Sequence, residues 1–164
     1  MNRQAFLSFV THVILIFLIT LALSACSEKK SPEDEVRQFV ASAVIAAESR
    51  EALTIRKLVS DGYMDQSGRD QRALTALAMG YFLRHKNIYL FTQVSEIKFP
   101  QPEKSSVKLY VAMTGSPVKG AQALLDIRAD LYQFDLMLIK ESGDWLLQKA
   151  RWQRASVEEI MVGG

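Results

Sequence analysis

The chain has 164 residues, with 20 Lys and Arg against 18 Asp and Glu, and its one cysteine is Cys26. This is length enough for one domain with a real core, and a single cysteine rules out a disulfide scaffold. Near-neutral charge without a basic run speaks against nucleic acid as a partner.

The first 25 residues read as three zones. Arg3 carries the only positive charge, and Ala5 to Leu23 is apolar apart from Ser8, Thr11, His12 and Thr20. Small residues, Ser24 and Ala25, then precede Cys26. A basic start, an apolar core and a small-residue site make a secretory signal. The closing Leu23-Ser24-Ala25-Cys26 resembles the lipobox of bacterial lipoproteins. That resemblance implies cleavage before Cys26, a diacylglyceryl thioether on its sulfur and acylation of the new amine. An uncleaved span is the rival, since nearly 20 apolar residues can just cross a bilayer; the place of the cysteine favours cleavage. Several acyl chains hold a protein durably where one does not. Ser27, standing where an aspartate would favour the inner membrane, implies by the same resemblance the outer membrane, facing the periplasm. Residues 26–31 are then a lipidated tether, whose reach before the first helix is at most ~18 Å. Lys29 and Lys30 in it brush lipid phosphates or are simply solvated. Loss of Arg3 with the signal leaves 19 basic residues against 18 acidic.

Ser31-Pro32-Glu33-Asp34 opens the first helix: serine caps, proline suits the first position and the acids complement the dipole. Val36, Phe39, Val40, Ala43, Val44 and Ala47 recur at helical spacing and mark its buried face. A short second helix is predicted over Glu51 to Ser60, burying Leu53, Ile55, Leu58 and Val59, with Asp61-Gly62 breaking it. Tyr63 to Arg69 reads as a loop or small hairpin. Asp70 caps a third helix running to about His85, with Leu74, Leu77, Ala78, Tyr81 and Phe82 as its stripe. Gly80 within it predicts close packing against a neighbour.

From Ile88 the pattern changes to strands. Ile88–Phe99 is rich in β-branched and aromatic residues and ends at Pro100 and Pro102. Val107–Val111 alternates and stops near Gly115-Ser116-Pro117. Ile127–Glu141 and Trp145–Ala155 form a hairpin through Ser142-Gly143. Ser156 and Glu159 have capping-box spacing, although a frayed end is the commoner fate of such a tail.

Helices followed by an antiparallel meander is an α+β pattern. With Asp61-Gly62-Tyr63, Tyr81-Phe82 and Gly143-Asp144-Trp145 at their places, residues 32–155 resemble the nuclear transport factor 2-like superfamily, which includes SnoaL-like and ketosteroid isomerase-like proteins. The resemblance implies N-terminal helices packed on a strongly curved antiparallel sheet, a cone with a pocket, and frequent dimers. A cystatin-like arrangement is the fallback. Residues 156–164 are left as a C-terminal tail.

An unbroken hairpin places Lys140 opposite Trp145 and Leu138 opposite Leu147. Tyr132, Phe134, Leu136, Leu138, Lys149 and Arg151 then share one face, while Met137, Ile139, Leu146, Ala150 and Trp152 share the other with Asp135. Both faces come out largely apolar, which calls for helices on one side and a second subunit on the other. Lys149 and Arg151 beside Tyr132 and Phe134, with Tyr63 at the rim, make a candidate site for an anionic ligand; long cations lying along apolar surface are the plainer reading.

Asp130 and Asp135 are the bases a ketosteroid isomerase-like reading would use, yet no catalytic motif of that enzyme can be matched residue by residue. After signal removal His85 is the only histidine, and the end of a helix suits its charge. It has no Gly-x-Ser-x-Gly partner motif, a histidine-cysteine metal cluster is unavailable, and Asp61, Asp65 and Asp70 miss calcium-loop spacing. No catalytic residue, metal ligand or cofactor is therefore assigned. The leading expectation is a non-catalytic envelope module that binds a partner protein or a small apolar ligand beside the membrane. A small isomerase or hydratase with an acid in the cone and a structural subunit of an envelope complex are the alternatives.

Overall fold

Pro32 starts α1 (Pro32–Glu48), whose first turn carries Glu33, Asp34 and Glu35 against the positive end of the helix dipole. The computed structural model describes residues 30–126 and 130–162. Cys26, the signal segment and the tether up to residue 29 lie outside the described residues. Residues 32–164 form a compact unit of their own, and it contains all three apolar clusters of the core. Among the described residues no helix is long and apolar enough to cross a membrane.

After α1 come α2 (Ala52–Lys57), β1 (Val59–Asp65), α3 (Gln71–Arg84), β2 (Tyr89–Gln101), β3 (Lys104–Thr114), a 3-10 turn (Ala121–Asp126), β4 (Asp130–Glu141), β5 (Asp144–Arg154) and α4 (Val157–Val162). The sheet order is β1-β5-β4-β3-β2. β2 to β5 form the expected antiparallel meander, and β1 joins its edge in parallel to β5. The architecture is the expected α+β one, with a mixed sheet.

β1 corrects the sequence reading most. The second helix stops at Lys57, and Val59 to Asp65 is strand, where a helix end and a loop were expected. Local pattern misleads because the strand exists by pairing with β5, some 85 residues on. Leu53, assigned to the core, is 70% exposed. Gly80 is a second correction, since a Cβ there would meet only the Arg84 guanidinium at 3.8 Å. β2 runs through Pro100 to a tight turn, with Gln101 opposite Lys104.

The hairpin turn is as expected. Glu141 faces Asp144, and Ser142 and Gly143 both take positive φ, 52° and 95°, as a two-residue type I′ turn demands. The tail is ordered through α4: Ser156 N–H donates to Glu159 Oε2 at 2.7 Å and Glu159 N–H to Ser156 Oγ at 3.3 Å, a closed capping box. Ile160 is fully buried against Tyr110, Ala112 and Leu124, so α4 and the 3-10 turn cover one end of the outer sheet face.

Between Met137 and Leu138 the β4–β5 register shifts. Leu138 faces Leu147, but Met137 faces Lys149, which leaves Gln148 as the extra residue of a bulge. A bulge bends the strand and resets the side-chain alternation. A second shift lies in β2, between Val94 and Glu96. Together these bends curve the sheet around α1.

The closed end of the cone is held by Val36, Phe39, Val40, Val107, Leu109, Leu138 and Trp145. A polar clamp ties it to α1. Glu35 Oε2 accepts from Lys140 Nζ at 2.5 Å and from Trp145 Nε1 at 3.0 Å, and the ammonium lies 5.5 Å from the centroid of the Trp145 ring.

Candidate functional site

Towards the wide end of the cone the core gives way to a cavity of about 450 Å³, within the size range of small-molecule sites. Its walls follow from periodicity. From β3 come Leu109, Val111 and Met113, and from β4 Tyr132, Phe134 and Leu136, every second residue of each strand. From α1 come Phe39, Val40, Ala43, Val44 and Ala47, one helical face. α1 explains why space is left: Phe39 and Val40 fill the closed end, while Ala43 and Ala47 are too short to fill the wide one. Leu74 and Leu77 of α3 complete the wall, and Leu77 is 46% exposed, so the cavity edge reaches the surface there.

The bulge decides what β5 contributes. Leu147, Ala150 and Trp152 line the cavity, with Phe134 opposite Trp152 and Asp135 opposite Arg151. The expected grouping of Lys149 and Arg151 with Tyr132 and Phe134 is therefore corrected. Tyr63, Tyr132 and Phe134 are in the cavity wall, whereas Lys149 and Arg151 are exposed on the outer face with Asp135, Met137 and Met64. A signal for this was present in the sequence. Gln148-Lys149 are two polar residues in a row, after which Ala150 and Trp152 resume the apolar phase one step out.

On the outer face Glu96, Lys108, Asp135 and Arg151 are directly opposite one another along four neighbouring strands. Charge alternates along this row, and each group faces water or an opposite charge. The second apolar face, on which the expectation of a covering subunit rested, is absent from the middle of the sheet.

Tyr63 is 1% exposed and its hydroxyl is buried with no hydrogen-bond partner among the described residues. Burial and the nearby Asp65 carboxylate push its pKa up to about 12, against a smaller opposing effect of Arg69. Asp65 itself is shut off from solvent. Burial pushes its carboxyl up, but the Arg69 and Ser67 backbone N–H groups, at 2.9 and 2.7 Å, and the Arg69 guanidinium, at 3.1 Å, outweigh it and hold the carboxyl below its ordinary value. Asp65 thus acts as the hub of the β1–α3 loop, and Asp70 caps α3 by accepting from Ala73 N–H at 2.7 Å.

Asp130 and Asp135 are both exposed, and neither lines the cavity. The isomerase-type alternative needs an acid of raised pKa in an apolar cleft; Asp65 has its carboxyl held below the ordinary value instead. Tyr81 has its pKa raised, first by burial and then by Asp130 and Tyr132. His85 stacks on the Tyr81 ring at 3.9 Å and its Nδ1 lies 2.9 Å from the Tyr81 carbonyl oxygen, a structural place at the end of α3.

The sequence matches no protein-family model and no curated protein. Solved structures do share the fold. A candidate scytalone dehydratase from Novosphingobium aromaticivorans superposes with a TM-score of 0.63 at 10% identity, over 76% of this chain and 84% of its own. An NTF-2 like protein of unknown function from Shewanella oneidensis gives 0.57 at 12%, over 74% and 98%. Bd1075 from Bdellovibrio bacteriovorus gives 0.61 at 13% identity over 75% of this chain, which spans only 40% of that protein. At these identities the likeness shows the fold alone: a nuclear transport factor 2-like cone.

Proposed function

We propose that this domain is a non-catalytic binding module that takes a small apolar ligand into its cone, held at the periplasmic face of a bacterial envelope membrane by lipid on Cys26. The observation that supports ligand binding is the composition of the cavity wall. Among the described residues that line it, none is Asp, Glu, His, Lys or Arg. Such a wall favours apolar surface and makes burial of an unpaired charge very costly. The fold neighbours support the cone-like fold, and no chemistry is carried over from them.

The test uses the chain from Ser27 onward and the neutral fluorophore N-phenyl-1-naphthylamine. Saturable one-to-one binding with enhanced emission is expected. Ala43→Phe combined with Ala47→Phe should weaken it at least ~10-fold, because the two rings occupy the empty end of the cone. Overpacking a tight core costs about 1–3 kcal/mol; here the rings enter open space, so the variant should keep its thermal midpoint to within a few degrees. Lack of saturable binding, or equal affinity in the filled variant, would end the reading.

The anchor is tested separately. Cys26→Ala should accumulate as an unprocessed, unacylated precursor on labelling with radioactive palmitate, and normal maturation of that variant would refute lipidation.

A further inference from the structure

Three features lie outside the cavity: the outer charge row, the buried loop hub at Asp65, and the outward side of α2 and α3. The charge row neutralises itself, and Asp65 is already spent on its own loop. The helices are different.

α2 and α3 pack together, with Arg56 Nε donating to Gln71 Oε1 at 3.2 Å and Gln71 Nε2 donating to the Val59 carbonyl oxygen at 2.7 Å. Their outward side is apolar where solvent would favour polar groups. Leu53 is 70% exposed, Met79 52% and Leu83 86%. They do not stand alone. A surface depression lined by Arg50, Ala52, Met79, Phe82 and Leu83 joins the α1–α2 corner to the end of α3. Arg72, Ala76, Met79 and Leu83 follow one another at helical spacing, all exposed, so the stripe runs along the helix.

The charges around this stripe are mostly positive, with Glu48 at the corner and Glu51 and Asp70 at the N-termini of α2 and α3 as the acids nearby. α2 and α3 carry Arg56, Lys57, Arg72 and Arg84 and contain no acid, and Arg50 adds a fifth cation in the depression. The acids of the neighbouring corner are engaged: Glu48 accepts from Leu90 N–H at 2.8 Å and Glu51 from the Thr54 hydroxyl at 2.7 Å. By contrast α1 opens with three acids. Apolar tips set among long cations are what an interfacial helix presents to a lipid surface. The tips enter the acyl boundary, and the cations meet phosphate.

We infer that the outward face of α2 and α3 docks on an anionic phospholipid surface, with Leu53, Met79 and Leu83 inserted and Arg50, Arg56, Lys57, Arg72 and Arg84 against the headgroups. A second copy of the chain is a poor occupant, because it would set cation against cation. The charge complementarity selects an anionic surface, and apolar side chains as exposed as Leu53 and Leu83 suit insertion into lipid. Leu77, which belongs to the cavity wall, lies more than a quarter-turn round α3 from Met79 and Leu83, so the docking does not rest on the cone being a ligand site.

The test is co-sedimentation of the chain from Ser27 onward, which has no acyl chains, with vesicles of phosphatidylglycerol and phosphatidylethanolamine or of phosphatidylcholine alone. Binding to the anionic vesicles should be at least ~10-fold tighter than to the neutral ones and should fall with added salt. Leu53→Ser with Leu83→Ser should lose most of it while keeping N-phenyl-1-naphthylamine binding, which separates failure of docking from failure of the cone. Arg56→Gln with Arg72→Gln and Arg84→Gln should remove the preference for anionic lipid. Equal partition to both vesicle types, or an unchanged affinity in the leucine variant, overturns the proposal. So does failure to sediment with either vesicle, the result expected if an acidic protein were the occupant.

Discussion

Replacing Trp145 by alanine is expected to destabilise the domain by ~3–5 kcal/mol, the usual cost of deleting a large buried aromatic. Trp145 is 6% exposed and packs with Val36, Phe39, Val40 and Leu138 at the closed end of the cone. Its indole N–H is donated to Glu35, and the Lys140 ammonium lies over its ring. Phe99 packs on it from β2, with ring centroids 6.0 Å apart. One side chain therefore joins α1, both strands of the hairpin and the sheet edge strand β2. Trp145→Phe keeps most of the packing and drops only the hydrogen bond, so its cost should be ~1 kcal/mol. Guanidinium unfolding of the chain from Ser27, with midpoints compared at constant slope, separates the two. If Trp145→Ala cost less than its phenylalanine counterpart, the view of this residue as the main tie of the closed end would be wrong.

Asp65→Ala should also be costly, at about 2–3 kcal/mol, because it leaves two backbone N–H groups and part of a guanidinium without the buried carboxylate that accepts from them. The same residue makes stability depend on acid. Its carboxyl is held below the ordinary value when folded. As pH falls, the unfolded chain takes up this proton first, so stability drops with falling pH. The contribution is fully present above the unfolded value of ~3.9 and is lost as pH passes down through the folded one. Asp65→Asn should accordingly flatten the stability curve below about pH 4, measured by thermal unfolding at stepped pH. An acid limb as steep as that of the parent would assign the effect to other carboxylates.

Much of the architecture was legible because it is written in local pattern. The stripe from Val36 to Ala47 identifies α1 by spacing alone, and Asp70 announces α3 as a cap. Ser142-Gly143 sets the hairpin turn, and with it the pairing of Lys140 with Trp145. The elements misread are those that local pattern does not create. β1 is seven residues long and contains Asp61-Gly62, which reads as a break; only the free edge of β5 makes it a strand. The candidate site failed for a related reason. Tyr132, Phe134 and Tyr63 do share the cavity wall, but one extra residue, Gln148, sends Lys149 and Arg151 to the opposite face. A shift of one residue exchanges the two sides of a strand, so a single unread bulge was enough to turn an apolar cavity into a supposed anion site.

The sequence by itself determined the α+β class, the order of the elements apart from β1 and α4, the buried face of α1 and the turn, since each of these depends on residues within a few positions of one another. Its leading segment, ending at Cys26, also carries the lipoprotein reading on local grounds. The tertiary structure decided the parallel partner of β1, the phase of β5 beyond the bulge and the hollow left where Ala43 and Ala47 face Phe134 and Trp152. It also decided which apolar residues stay outside, as Leu53, Met79 and Leu83 do. Those outcomes depend on what lies across the chain from each residue, and pairing between distant segments has no signature in the spacing of either one.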